Sequence, residues 1–431
     1  MLSPQQNLMK TFKSLGLSEP ILRGVVDAGY NTPTPIQLAA IPAALAGKDI
    51  TGTAQTGTGK TAAFVLPMLE RLAASPSTDR RRPVRALVVA PTRELALQVE
   101  TSVRTYGKHT GIRSIAIFGG VGMGPQLQAF QRGVDIVSAT PGRLLDHMNR
   151  GSLDLSKVEI LVLDEADRMF DMGFINDIRK IIKAIPTRRQ TLLFSATFPP
   201  AIQQLAASVQ QNPESVEIGT HTNAATSVTQ YIYPVAQTQK MDLLLHLLKT
   251  EDIENVLVFS RTKHRANRIT KKLSQVGIAA AAIHSNRSQN QRERALEDFK
   301  RGDVQVLVAT DIAARGIDVQ GISHVVNFDT PNQAEDYIHR IGRTGRAAAT
   351  GDAITFVSRD EEEYLRQIEK HTGRRFERSK YPTFDYDSTP EPVPTAPAGR
   401  QQRSARPRSA PKSQSPGGQA SGRSGNRRSR R

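Results

Sequence analysis

Short unbroken apolar runs recur along the chain, each followed by a stretch with apolar residues at helical spacing. In the first half they are Ala86-Leu87-Val88-Val89, Ser114-Ile115-Ala116-Ile117-Phe118, Asp135-Ile136-Val137, Ile160-Leu161-Val162-Leu163 and Thr191-Leu192-Leu193-Phe194. Runs without polar alternation predict central strands of a parallel sheet, covered by helices on both faces. The alternation of strand and helix predicts an open α/β fold. The pattern lapses into the polar stretch Gly219–Thr226 and then restarts at Asn255–Phe259, Ala279–Ile283, Val304–Val308, His324–Phe328 and Ala353–Phe356. The halves echo each other: Leu87-Val88-Val89-Ala90 leads into Thr92-Arg93, and Leu257-Val258-Phe259-Ser260 into Arg261-Thr262.

Two similar α/β domains in tandem are the economical reading, over residues 1–216 and 230–380 with a linker at 217–229. A helix over about Asp360–His371, with Tyr364, Leu365 and Ile368 on one face, closes the second domain. Residues 381–431 are rich in Pro, Ser, Gly, Gln and Arg and hold no aromatic after Tyr386. Such a segment cannot bury enough apolar surface to offset its ordering entropy, which predicts a disordered Arg-rich tail.

Charge sharpens this picture. The 431 residues carry 58 Lys and Arg against 41 Asp and Glu, a net +17 that favours a polyanionic partner. Ten of the positive charges, and no acid, lie between Arg400 and Arg431. Cysteine is absent, which excludes disulfides, thiolate catalysis and Cys-ligated metal sites. The start, Met1–Gln6, has neither the basic nor the apolar segment of a secretory signal. The longest apolar run, Ile278–Ile283, falls far short of the roughly 20 residues that a membrane helix needs. A soluble, cytoplasmic protein without membrane contact is expected.

The strongest chemical signal is Ala54-Gln55-Thr56-Gly57-Thr58-Gly59-Lys60-Thr61, between an apparent strand at Asp49–Thr53 and a helical pattern from Ala62. Glycines let backbone N–H groups turn inward around phosphates, Lys60 meets the β- and γ-phosphates, and the Thr61 hydroxyl serves a Mg2+. Ala54 stands where the general motif has Gly; a Gly/Thr-rich surface loop is the bland alternative. The strand Ile160–Leu163 runs into Asp164-Glu165-Ala166-Asp167. There Asp164 would hold Mg2+ and Glu165 would orient and deprotonate an attacking water, unless the acids merely favour a helix start. Arg340, Arg343 and Arg346, spaced by three among glycines in the second domain, suit guanidinium groups reaching across a cleft to a transferring phosphoryl group. A basic surface loop is the alternative.

Taken together, the chain resembles a DEAD-box RNA helicase, the family named for Asp164-Glu165-Ala166-Asp167. The resemblance spans about residues 12–375 and includes Pro33-Thr34-Pro35-Ile36-Gln37, Pro91-Thr92-Arg93-Glu94-Leu95-Ala96, Gly119-Gly120, Thr140-Pro141-Gly142-Arg143, Ser195-Ala196-Thr197 and Ala309–Asp318. His284–Gln289 and Arg346–Gly351 further resemble the bacterial RhlE-like subgroup. The resemblance implies two RecA-like domains, ATP and Mg2+ as cofactors, and RNA as partner with little sequence preference. It assigns phosphate binding to Thr56, Gly57, Thr58, Gly59, Lys60 and Thr61, adenine to Gln37 and a stacking Phe12, and the ribose to Asp318. Arg343 and Arg346 would be catalytic. Arg93, Gly120, Thr140, Arg143, Arg261 and Thr310 would hold the RNA backbone. Ser195, Thr197, Asp167 and His339 would couple the ATP site to strand separation. It implies a monomeric core, with ribosome-assembly or RNA-decay proteins as possible partners. A DNA translocase and a non-unwinding RNA clamp remain open at this point.

Overall fold

The computed structural model describes residues 11–54, 58–77, 79, 82–218, 228–250, 253–314, 322–345 and 351–387. Residues 219–227 of the expected linker at 217–229, and those of the expected tail beyond 387, lie outside the described residues.

The apolar runs become strands. In the first sheet these are β1 (Ile50–Thr53), β2 (Ala86–Val89), β3 (Ser114–Ile117), β4 (Ile136–Ala139), β5 (Ile160–Leu163), β6 (Gln190–Ser195) and β7 (Glu214–Glu217). In the second they are β8 (Val228–Pro234), β9 (Val256–Phe259), β10 (Ala280–Ile283), β11 (Val306–Ala309), β12 (His324–Asn327) and β13 (Gly351–Val357). Every pairing is parallel, as it must be where helices return the chain to the same edge. The central strands β2, β4 and β5 are buried along their whole length, which explains their lack of alternation.

The two sheets share one topology. The first runs β3-β4-β2-β5-β6-β1-β7 and the second β10-β11-β9-β12-β13-β8. Counting each from its own first strand, the six shared positions follow the same order, and β7 is an added edge of the first sheet. The faint internal echo is therefore a structural repeat, and the tandem α/β reading holds.

The strands reach into both ends of the segment read as linker: β7 ends at Glu217 and β8 begins at Val228. The second domain also reaches past residue 380. Tyr381, Phe384 and Tyr386 pack with Leu243, Leu247 and Tyr233, and Tyr381 Oη lies 2.8 Å from Thr250 Oγ1. The closing helix is Glu362–Thr372, preceded by a short 3-10 turn at Arg359–Glu361. Leu365 and Ile368 are buried under it, whereas Tyr364 lies beneath the Arg261 guanidinium, 5.3 Å from the ring centre.

In parallel α/β sheets, ligands bind beyond the carboxyl ends of the strands. Many of the candidate residues follow such an end. Arg93 comes after β2, Gly120 after β3, Thr140 after β4, Asp164 after β5, Thr197 after β6, Arg261 after β9 and Thr310 after β11.

Candidate active site and nucleic-acid interface

Lys60 opens the helix Lys60–Ala74, and its buried Nζ donates to the Ala54 carbonyl at 2.6 Å. Gly59 before it has φ 93°, and a Cβ there would sit 2.5 Å from Gln37 Nε2, so only glycine fits. Thr56 and Gly57 lie outside the described residues. Gln37 is buried: its Oε1 accepts from the Thr34 N–H at 2.9 Å, and its Nε2 donates to the Gly59 carbonyl at 3.1 Å. The amide thus ties the Thr34–Gln37 turn to the phosphate loop, leaving one N–H and one lone pair for a base edge.

A cavity of about 650 Å3 opens here, lined by Thr34, Gln37, Gly59, Lys60, Thr61, Asp164 and Glu165 from the first domain and by Arg292 and Arg343 from the second. Phe12 does not line it. Expected to stack on adenine, it is 4% exposed and belongs to the apolar core with Leu15 and Ile41, so core packing claims its ring. Tyr30, 45% exposed, does line the cavity, edge-on to the buried Tyr106, and is the more exposed of the two aromatics available to a base there. A shallower depression of about 540 Å3, lined by Ser75, Arg85 and Glu159, lies at the amino ends of β2, β5 and β6 and holds none of these groups.

Asp164 and Glu165 are both buried but differ in charge state. Burial, with Glu165 and Asp167 nearby, pushes the Asp164 carboxyl up to about 7 against the pull of Lys60. A buried carboxylate this costly to ionise fits a site meant for a cation, and with the neighbouring Thr61 hydroxyl it forms a donor set suited to Mg2+. Burial also opposes ionisation of Glu165, but Arg168, Lys60 and Arg343 overcome it and hold the carboxyl down at about 2. Its Oε2 accepts from Arg168 Nη1 at 2.6 Å. The Glu165 backbone is left-handed at φ 52°, a strained state for a non-glycine residue and the kind that gathers at active sites.

Asp167 joins this site to the loop after β6. Its Oδ2 accepts from the N–H groups of Ala196 and Thr197, at 3.1 and 2.8 Å, and from Thr197 Oγ1 at 3.0 Å. Ser195 Oγ accepts from the Asp167 N–H at 3.1 Å. Across the cleft, His339 lies within reach of the Arg168, Asp167 and Glu165 charges, and burial chiefly pushes its imidazole down to about 4, so it is neutral. Arg343 Nε donates to the His339 carbonyl at 3.2 Å, and its charge reaches Glu165.

Arg340 corrects the reading of three arginines reaching across. It is bidentate to Asp311, bonded to Asn327 Oδ1 and the Asp329 carbonyl, and packed on the Phe259 ring. With its donors spent inside the second domain, it anchors the helix Ala334–Ile341 instead. Arg346 and Asp318 lie outside the described residues.

The expected RNA-contact residues line the two strand-end edges. Gly120 has φ 83°, and a Cβ there would fall 2.2 Å from Arg93 Nη1, so glycine admits the guanidinium. Thr140 precedes the helix Pro141–Asn149 with no side-chain cap bond, and the Thr310 carbonyl accepts from Ala313 and Ala314. Arg261 is exposed, with Nη2 held by the Thr330 carbonyl and Glu361 Oε1, each at 3.0 Å. Arg143 is more constrained than expected. Its side chain is 10% exposed, with Nη1 on Gln126 Oε1 at 3.2 Å and Nη2 on the Val121 carbonyl at 3.1 Å. It shapes the interface from behind more than it faces solvent.

Two clusters escaped the sequence reading. The buried Gln126 amide accepts from Arg143 and lies 2.9 Å from His147 Nε2, while its Nε2 donates to the Phe118 carbonyl at 3.3 Å. It therefore braces the Gly119–Gly120 turn against the Pro141–Asn149 helix. Glu94 of the first domain and Arg292 of the second pair at 2.8 Å, with side chains only 12% and 9% exposed. Neither cluster has a local sequence signature, because each joins residues from separate elements.

The sequence pattern of the DEAD/DEAH box helicase family matches residues 34–205, and that of the helicase conserved C-terminal domain matches residues 239–348. The DEAD-box ATP-dependent RNA helicase CshA of Geobacillus kaustophilus is 45% identical over 377 residues, 88% of this chain and 80% of that protein. The structure of S. cerevisiae Dbp5 bound to RNA and ADP BeF3 superposes with a TM-score of 0.76 at 34% identity, covering 88% of this chain and 97% of that one. A Dbp5 variant bound to Nup159, Gle1, IP6 and ADP gives 0.59 at 33% identity, covering 86% and 97%.

Proposed function

Because the chain belongs to the DEAD-box helicase family, we propose that its cleft couples ATP hydrolysis to RNA binding by closing one α/β domain on the other. The protein is an ATP-dependent RNA helicase and an RNA-stimulated ATPase. One observation carries the coupling: Arg343 of the second domain lines the same cavity as Lys60, Thr61, Asp164 and Glu165 of the first. The catalytic set is thus assembled only when the domains meet.

Within that cleft Lys60, Thr58, Gly59 and Thr61 hold the phosphates of ATP, with Gln37 and Tyr30 at the base end. Thr61 and Asp164 would hold Mg2+, whose chemistry there would be to neutralise charge on the phosphates. Glu165 positions the attacking water. A carboxyl held near 2 is ionised and accepts a hydrogen bond well, but it is a weak proton acceptor while Arg168 remains bonded to it. Orienting the water and taking its proton both fall to Glu165, and the proton transfer requires the Arg168 bond to loosen. Arg343, joined by Arg346, meets the charge that builds on the transferring group.

Arg93, Gly120, Thr140, Arg261 and Thr310 hold the RNA backbone at the strand ends, with Arg143 behind them. Phosphate contacts of this kind position a strand without reading its sequence. Asp167 ties the acidic turn to Ser195 and Thr197, and His339 approaches it from the second domain, so RNA-driven closure reaches the ATP site through a short chain of contacts. The open and closed arrangements form the two-state element that ligands bias.

We further propose that the chain falls in the RhlE-like subgroup, which His284–Gln289 and Arg346–Gly351 support, and that it acts in the cytoplasm. No helix among the described residues is long and apolar enough to cross a membrane. Ribosome assembly and RNA decay are the processes this activity suits. Steady-state ATP turnover with and without RNA tests the reading. Substantial stimulation by RNA, and little by DNA of the same sequence, is expected; equal turnover in all three conditions would refute it.

A further inference from the structure

Between Asn255 and Arg292 the sequence holds eight Lys and Arg and no Asp or Glu. The structure gathers most of these charges on one surface. The helix Lys263–Gln275 packs Ala266, Ile269 and Leu273 against the sheet and turns the rest of its surface outward. His264, Arg268 and Lys271 are exposed and Lys263 and Lys272 half-buried. Arg265 is spent on Asp329, but Arg268, Lys271 and Lys272 have no acidic partner among the described residues. The loop after β10 adds Arg287, and Lys263 Nζ reaches Asn286 Oδ1 in that loop at 3.0 Å.

Two comparisons show that this is more than an ordinary solvated face. The other long helices of the second domain, Lys240–Thr250, Gln289–Lys300 and Glu362–Thr372, mix both signs. So does Arg93–Tyr106, the helix at the equivalent position in the first domain, with Glu94 and Glu100. The positive field is also felt locally: after burial, the charges on Arg287, Lys263, Arg292 and His264 all act to lower the basicity of the buried His284 imidazole.

Continuity gives the surface its partner. The helix begins two residues after Arg261, at the strand-end edge, and runs down the flank of the sheet over β10 and β11. From Lys263 to Lys272 the helical rise covers about 14 Å, room for a few phosphates. Building on the RNA-helicase reading, we propose that this flank is a second RNA-docking surface, which takes the phosphate backbone of the strand leaving the cleft. Its contacts are to phosphates, so it adds affinity and strand length without sequence preference.

The test compares the full chain with R268E/K271E/K272E, using a short oligouridylate that fills only the cleft and one several times longer. The unsubstituted protein should bind the longer strand about tenfold or more tightly, and the charge-reversed protein should lose that gain. Losing three phosphate contacts should flatten the plot of log K against log salt for the longer strand by about 2, at roughly 0.7 per contact. The charge-preserving R268K/K271R/K272R should retain both gain and slope. Unchanged gain and slope in the charge-reversed protein would overturn the proposal, leaving a protein partner for this surface. So would an equal loss in the charge-preserving variant, which would mark the effect as structural. The short strand's stimulation of ATP turnover by the unsubstituted protein reports separately on the helicase reading: if it is absent, that reading fails rather than the docking surface.

Discussion

The Glu94–Arg292 pair exists only while the domains are together, so breaking it should act on closure. At 2.8 Å, with both side chains about nine-tenths buried, the attraction in a medium of effective dielectric about 20 is about 6 kcal/mol. Desolvation of both charges offsets much of this, leaving an expected coupling of about 1–3 kcal/mol, or about 5–150-fold in the closed population. The local charges add a direction. Arg93 lies near both groups, and Arg292 and Glu94 act on it with opposite sign. Glu94→Gln therefore leaves two arginines facing each other without their acid, whereas Arg292→Gln leaves Glu94 still beside Arg93. The first should lower kcat/KM for RNA more than the second, and the double variant should be less impaired than the product of the two single effects. The assay is ATP turnover as a function of RNA concentration for all four proteins, with thermal unfolding as a check on each domain. Multiplicative effects, or a larger loss from Arg292→Gln, would refute a pair that acts on closure.

Gly120→Ala should raise the KM for RNA severalfold, because φ 83° strains any residue with a Cβ and that Cβ displaces the Arg93 guanidinium; on an Arg93→Ala background only the backbone part should remain, and equal effects on both backgrounds would remove the steric part. Gln126→Leu should weaken RNA binding with no change in ATP affinity measured without RNA, and Gln126→Asn should recover part of the loss; unchanged RNA titrations would deny the amide its bracing role. Closure should also depend on pH through His339, whose imidazole is pushed from 6.5 to about 4 in the closed cleft. The open state then binds more protons between those values, so RNA affinity with a non-hydrolysable ATP analogue should be full above 6.5 and fall as pH drops toward 4. His339→Asn should flatten that profile, and an unaltered profile would place the titration elsewhere.

Much of this was legible in the sequence because it is local. Fully buried parallel strands must be apolar throughout, so β2, β5 and β9 stand out as runs, and phosphate loops and acidic turns follow strand ends directly. The unread features depend on tertiary choice. Phe12 and Tyr30 are both aromatic and near the Gln37 turn, and only packing decides which ring is buried and which lines the cleft. Arg340 and Arg343 sit three residues apart in one motif, yet the bidentate Asp311 claims the first and leaves the second at the cleft. The amphipathic edge strand β7 is too short and too exposed to show as an apolar run. Residues 381–387 look like tail by composition, but three aromatics within them find a surface on the Lys240–Thr250 helix.

The most direct measurement of the central claim is strand displacement from a short RNA duplex by the full chain and by Glu165→Gln, in ATP and without it. ATP-dependent displacement by the unsubstituted protein is expected. Glu165→Gln should lose nearly all multiple-turnover ATP hydrolysis yet still bind ATP and RNA and persist as a long-lived complex, because the phosphate contacts and the cleft-closing residues remain. Near-normal hydrolysis in Glu165→Gln, or displacement that proceeds equally without ATP, would contradict the central claim.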